Sequence, residues 1–268
     1  LIDYWYINVV YKFQWLNMTK EIVRIMNNIY SWLHYQRRLG VEIIPKGPGL
    51  SAFLDRCVKD ETPVNGLTAT HEYGDKIHAP TDLDGLRRMI EGCKRCELHK
   101  SRQNIVFGEG PEDARLVLLG EAPGREEDMQ GRPFVGPSGE LLTDMLRSVN
   151  ISRKEVFITS VIKCRPPHNR TPGHEEIAAC SFFLRHQLRL IDPPLILALG
   201  LVAAQTILKT KASLKSLRGR FHQMGNAMVM PIYHPAYLLR SKGSQQKELK
   251  RVAWHDLQIL EKEYAKYR

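Results

Sequence analysis

No stretch of this chain stays apolar for the ~18–20 residues that a membrane-spanning helix needs, so no segment reads as a span. Cysteine is sparse, with five in 268 residues, which sets aside a disulfide-stapled scaffold. Residues 1–17, LIDYWYINVVYKFQWLN, are rich in aromatics but have neither the basic start nor the small-residue cleavage site of a secretory signal. No internal repeat is present, which sets aside solenoids and propellers. Acidic residues are outnumbered by basic ones, 29 to 39, for a net charge of +10. That excess favours a polyanionic partner, nucleic acid or an anionic membrane surface. The remaining composition, 43% hydrophobic and 25% charged, is that of a globular chain. Its length suits one sizeable domain and an appendage.

Two regions divide the chain. Residues 19–39 place Ile22, Ile25, Met26, Ile29 and Leu33 at helical spacing, with Lys and Arg between them, and predict an amphipathic helix ending near Gly40. Met18 reads as a natural start, which leaves 1–17 an unexplained extension. Residues 45–81 are rich in Pro, Gly, Thr and Asp and predict a linker. The boundaries expected are therefore 1–81 for a helical extension with its linker and 82–268 for the main domain.

Within the main domain, RLVLLG (115–120), VFITSVI (156–162), LILALG (195–200) and MVMPIY (228–233) read as strands. Helical stretches at 137–149, 174–191 and 201–209 lie between them. Strands alternating with helices predict an α/β fold, a mostly parallel sheet covered on both faces. Ligands of such sheets sit beyond the carboxyl ends of the strands. Three of those ends carry unusual sequence: GEAPG, KCRPPHNRTP and HPAYLLR. The first continues as GEAPGREEDMQGRPFVG (120–136), with Glu121 directly after the strand and Phe134 as its lone aromatic. This loop predicts one wall of a cleft.

Of the cysteines, Cys93 and Cys96 form CKRC, Cys164 follows the second strand, and Cys180 lies on the next helix. A lone CxxC is a weak signal. With two further cysteines beside the expected cleft, a four-thiolate site for Zn²⁺ or an iron–sulfur cluster competes with a redox pair plus two structural thiols. Cys57 falls in the linker and reads as a free thiol.

Taken together, CKRCELHKSRQNIVFGEG, LLGEAPGREEDMQGRPFVGPSGELL, KCRPPHNRTP with Cys180 beyond, and HPAYLLR resemble the family 4 uracil-DNA glycosylases, over roughly residues 85–240. The resemblance implies a three-layer α/β/α sandwich and a 4Fe-4S cluster held by Cys93, Cys96, Cys164 and Cys180. It implies a DNA-repair hydrolase of prokaryotes, a cytoplasmic monomer acting on uracil-containing DNA and leaving an abasic site. Glu121 matches the family's motif carboxylate. Ala122 and Pro123 match the backbone lining the base pocket, Phe134 the aromatic that stacks on uracil, and His234 the histidine beside the base's O2.

The chemistry suits these residue types. A base must leave the stack before it can be cut, and an aromatic face holds it, worth ~1–3 kcal/mol per base. As the glycosidic bond breaks, the sugar becomes cation-like and wants a carboxylate and a placed water. Glu121 supplies the carboxylate. The departing anion wants a donor in a dry pocket, which His234 supplies. Glu126, Glu127 and Asp128 are expected to shape the loop or order water. The basic loops 209–220 and 164–170 are expected to meet phosphates, with solvated loops as the alternative. Leu238 and Leu239 are candidate wedges into the base stack, with burial of one of them as the alternative, and residues 245–267 predict a packed outer helix.

One position leaves the family's pattern: Ser160 stands where an asparagine is usual. A carboxamide can accept from N3–H and donate to O4, whereas a hydroxyl cannot bridge both edges. Base selectivity is the property this puts in question. Asn169 is a further candidate substrate contact, in the short loop RPPHNRTP. Some relatives cross-link to DNA through a histidine in a longer loop here, and the short loop predicts an ordinary turnover enzyme. Two alternatives remain: a same-fold glycosylase preferring hypoxanthine or xanthine, and a cluster-bearing nucleic-acid-binding module without activity.

Overall fold

The computed structural model describes residues 80–268. The helix expected over 19–39, the extension 1–17, Cys57 and all but the last two residues of the linker lie outside the described residues.

Along the chain run α1 (Leu83–Ile90), β1 (Leu116–Gly120), α2 (Arg125–Gln130), α3 (Pro137–Arg147) and β2 (Phe157–Ser160). There follow α4 (His174–Ile191), β3 (Leu195–Leu199), α5 (Leu201–Leu208), α6 (Leu214–Leu217), β4 (His222–Met224), β5 (Ala227–Ile232), α7 (Pro235–Arg240) and α8 (Gly243–Tyr264). The sheet order is β2-β1-β3-β5-β4, parallel throughout except for the β4–β5 hairpin.

Each central strand is apolar on both faces because both are covered. Val117 and Leu119 of β1 join a core with Leu86 of α1, Phe183 of α4 and Ala203 of α5. Leu116 and Leu118 join a second core with Leu142 and Leu146 of α3 and Leu257 and Leu260 of α8. The period-two alternation of the strands thus sorts side chains into two cores and gives the three layers expected. Replacing a side chain such as Leu118, fully buried, by alanine costs ~2–5 kcal/mol.

The edge strand β4 was not legible. HQM is short and only partly covered, so it lacks the apolar alternation that marks a strand. Its pairing with β5, Met224 opposite Ala227, leaves Gly225 and Asn226 as a two-residue hairpin loop with Gly225 at φ +57°. Pro231 lies in β5 beyond the part that pairs with β4, so its missing N–H interrupts no ladder bond on that side.

Register fixes the site. Gly120 stands opposite Ser160 across β1–β2, and Leu199 opposite Ile232 across β3–β5. The parallel strands therefore release Glu121, Ser160 and His234 at one edge of the sheet, where ligands of such sheets bind.

Candidate active site and thiol cavity

A cleft of about 760 Å³ opens at that edge, and Glu121, Ala122, Pro123, Phe134, Ser160, Asn169 and His234 all line it. The sequence-predicted pocket residues are therefore brought together from three strand ends and two loops.

Phe134 forms part of the cleft wall. Its ring lies over Gly120, where an added Cβ would come within 2.7 Å of the ring and 3.2 Å of the Ser160 hydroxyl. Only glycine admits the ring there. Phe134 itself adopts φ +51°, a left-handed conformation that a bulky residue takes only when its surroundings impose it. Its ring and the His234 ring are stacked, 5.7 Å between centroids at 29°.

His234 lies two residues beyond β5 and caps α7. Its Nδ1 accepts the Ala236 N–H at 3.1 Å. With Nδ1 an acceptor, the proton of the neutral ring resides on Nε2. Burial pushes the His234 pKa down to about 4, the Arg240 charge acts in the same direction, and Glu127 opposes them. The ring is therefore neutral near pH 7 and offers one N–H. Glu121, half-buried, has its pKa raised by burial, against the Arg240 cation.

Arg240 carries a role that the sequence did not indicate. It lines the cleft at the end of α7 and acts on both Glu121 and His234. It closes the HPAYLLR segment, but a basic residue in a helix's last turn ordinarily reads as a complement to the helix dipole, so it was not singled out.

Two of the three loop acids hold backbone, and Glu126 lines the cleft. Glu127 accepts the N–H groups of Gly124 at 3.1 Å and of Val135 and Gly136 at 3.0 Å. Asp128, buried, accepts those of Gln103 at 2.9 Å and Asn104 at 3.2 Å. Both shape the loop. Ser160 is buried, and its carbonyl accepts Lys163 Nζ at 2.6 Å. Asn169 lies exposed, its Oδ1 accepting Arg165 Nε at 2.7 Å, so its amide NH₂ is what it can offer a ligand. In the basic loop 209–220, Arg218 is committed to an ion pair with buried Asp256, which removes it from the expected phosphate contacts. Lys209, Lys211, Lys215 and Arg220 remain exposed. Leu238 is buried in the second core, whereas Leu239 is 41% exposed, so only Leu239 can serve as a wedge.

The four cysteines of the predicted ligand set, Cys93, Cys96, Cys164 and Cys180, all unpaired, line one small cavity with Arg102 and Lys163. Arg102 donates to Cys164 Sγ at 3.2 Å and to the Cys93 carbonyl at 2.7 Å. Lys163, fully buried, donates to Thr159 Oγ1 and the Ser160 carbonyl, both at 2.6 Å. Burial pushes the Cys164 thiol up to about 11 and raises Cys96 and Cys180 as well. Among the described residues no three His, Cys, Asp or Glu side chains converge as a single-ion site.

Comparison with known proteins places the cleft in context. The uracil DNA glycosylase superfamily model matches residues 107–258. A type-4 uracil-DNA glycosylase of Thermotoga maritima is 46% identical over 171 residues, 63% of this chain and 88% of that enzyme. Type-4 enzymes of Archaeoglobus fulgidus and Pyrobaculum aerophilum are 44% and 42% identical. These matches cover 59% and 63% of this chain, and 83% and 91% of the respective enzymes. Among the described residues no helix is long and apolar enough to cross a membrane.

Proposed function

The chain belongs to the uracil DNA glycosylase superfamily and, within it, to the type-4 uracil-DNA glycosylases, and from that premise we propose how its cleft removes uracil from DNA. The protein is a DNA-repair hydrolase acting on the N-glycosidic bond of uracil. The flipped uracil stacks on Phe134, while Ala122 and Pro123 border it and Ser160 and Asn169 meet its polar edge. The C1′–N1 bond breaks, and its electron pair leaves with the base. His234 donates its Nε2 proton in a hydrogen bond to O2 of the departing anion. A neutral donor that keeps its proton suits this task, because the anion is stabilised without a full proton transfer. Glu121, as carboxylate, stabilises the sugar cation and directs a water to C1′; the water gives up a proton as its oxygen bonds to C1′, the uracil anion takes one up, and an abasic site and neutral uracil result.

The observation that carries this reading is the meeting of Glu121, Phe134, Ser160 and His234 around one cleft, with Ala236 holding the His234 tautomer. A protein that only binds DNA has no use for a half-buried carboxylate and a neutral imidazole in one cleft. The exposed lysines of 209–220 and the exposed Leu239 supply phosphate contacts and a wedge.

Four thiolates in one cavity suit a 4Fe-4S cluster, the group implied by the resemblance to the family 4 enzymes, with one zinc as the alternative. A cluster spreads its ligands over four irons. Arg102 and Lys163 supply cationic charge next to the thiolates that a cluster requires. Bound there, the cluster would act as a structural brace between the CKRC segment, the end of β2 and α4.

The test is single-turnover cleavage of oligonucleotides bearing one uracil, hypoxanthine or xanthine, with abasic products revealed by alkali. Uracil cleavage that is absent or slower than hypoxanthine cleavage overturns the uracil assignment. The buried Ser160 hydroxyl, at the position of the family's usual asparagine, is the reason to include all three bases.

A further inference from the structure

We propose that Glu109, Arg153 and Glu127 form a clamp that fixes the backbone on both sides of Phe134 and so holds its ring in the stacking pose. This makes them positioning residues for uracil excision. The proposal rests on the stacking role given to Phe134 above.

The geometry is specific to the two peptide planes that flank this residue. The plane before Phe134 carries the Pro133 carbonyl, which accepts Arg153 Nη2 at 2.7 Å. The plane after it carries the Val135 N–H, which donates to Glu127 Oε1 at 3.0 Å, with the Gly136 N–H on the same oxygen at 3.0 Å. Rotation about φ turns the first plane and rotation about ψ the second, so the two contacts together set both angles. The angle they hold is φ +51°, which a phenylalanine does not keep unaided. Nearby, Gly139 leaves space for the Phe134 carbonyl, which would lie 1.9 Å from an added Cβ.

Arg153 is itself held. Its Nη2 also donates to Glu109 Oε1 at 3.0 Å, and its Nη1 lies 3.3 Å from Thr143 Oγ1. Glu109 takes a second arginine, Arg132, through Nε at 2.9 Å. Its backbone pairs with Ile158 in both directions, at 3.0 and 2.8 Å. Ile158 lies on β2, two residues before Ser160. The clamp is therefore anchored to the strand that presents Ser160, so the stacking ring and the base-edge contact share one mount. This gives a use to the FGEG segment, residues 107–110, which supplies no group to the cleft. Arg153 binds carboxylate and carbonyl together through Nη2 while Nη1 reaches Thr143, and the planar guanidinium presets these donor directions, which lysine's freely rotating ammonium does not.

The experiment combines Arg153→Met and Phe134→Ala in a double-mutant cycle. It measures single-turnover uracil release and affinity for two uncleavable duplexes, one with 2′-fluoro-2′-deoxyuridine and one with a tetrahydrofuran abasic analogue. Arg153→Met is expected to slow release roughly ten- to a hundredfold, the scale on which misplacing a contact group acts. It should weaken binding of the fluorouridine duplex and leave the abasic duplex unchanged. In the Phe134→Ala background it should change release less than about twofold, because the ring it positions is gone. Arg153→Lys, which keeps the charge, should fall between parent and Arg153→Met and serves if the methionine variant does not fold. Full additivity with Phe134→Ala, or equal loss of affinity for the abasic duplex, overturns the clamp while leaving the stacking role intact. A silent Phe134→Ala removes the stacking role and the clamp with it.

Discussion

The cleft and the thiol cavity both grow from the end of β2, Ser160 facing one and Cys164, four residues later, lining the other. They use polar groups in opposite ways. Around the cleft, Glu127, Asp128 and Arg153 are consumed in holding backbone, while Glu121, the His234 Nε2–H and the Ser160 hydroxyl are left to act on a ligand. In the thiol cavity, four cysteines from three chain segments meet with Arg95, Arg102 and Lys163 among the lining residues, and the cavity joins those segments. A group removed from the cleft should cost chemistry, and a group removed from the cavity should cost the fold.

The sharpest break of this contrast is expected at Cys164. Protein prepared without oxygen should be brown and hold about four irons. Cys164→Ser should lose that iron and cooperative thermal unfolding, because metal binding to such a site is folding free energy. Cys57→Ser should change neither. Colourless protein with one zinc per chain would count against the cluster.

In the cleft the expected losses are kinetic. His234→Ala should slow single-turnover uracil release by ~10²–10³, the usual effect of deleting a preorganised donor, with affinity for uncleaved DNA and melting temperature near the parent's. Glu121→Gln should slow the same step with the same preserved binding. If either variant unfolds like Cys164→Ser, the two regions do not differ as argued.

A gain is expected at Ser160. Ser160→Asn should raise uracil cleavage, or its preference over cytosine and hypoxanthine, by roughly ten- to a hundredfold if the carboxamide reaches both edge groups. Unchanged rates on every base would mean that another group reads the uracil edge.

The smallest expected effect is on pH dependence. Glu121 works ionised, and its pKa is raised by burial while Arg240 pulls it down. Rates should therefore fall on the acid side as Glu121 takes up a proton. His234, at about 4, adds no step near pH 6.5. Removing the cation in Arg240→Met raises both groups, so the acid limb should move to higher pH while the plateau changes little. A limb that stays in place would separate Arg240 from Glu121.

Much of this was legible in the sequence because it depends on local pattern. The strands β1, β2, β3 and β5 announce themselves as apolar runs, and α4 runs over the stretch expected, 174–191. Glu121, Phe134 and His234 stand in segments of odd composition directly after such runs, which is how the cleft was anticipated. β4 was missed because an edge strand of three partly exposed residues carries no period. Arg218 was read as a phosphate cation because nothing near it in sequence announces Asp256, 38 residues on, as its partner. Leu238 and Leu239 were equivalent by composition, and only the packing of α7 buried one of them.

The sequence by itself determined the alternation of strands and helices, the four thiols, and the residue types beyond each strand end, because periodicity, spacing and motif are properties of neighbours along the chain. Tertiary structure decided the rest. It set which side chains share a cleft, since parallel register brings Gly120 beside Ser160. It buried the His234 ring, which is what pushes its pKa down to about 4 and keeps it neutral. It held Phe134 at a left-handed φ, with Arg153 from beyond α3 and Glu127 from within α2 gripping the peptide planes on either side. Each of these depends on where distant backbone groups come to rest, and a hydrogen bond of 3 Å has no counterpart in a one-dimensional pattern.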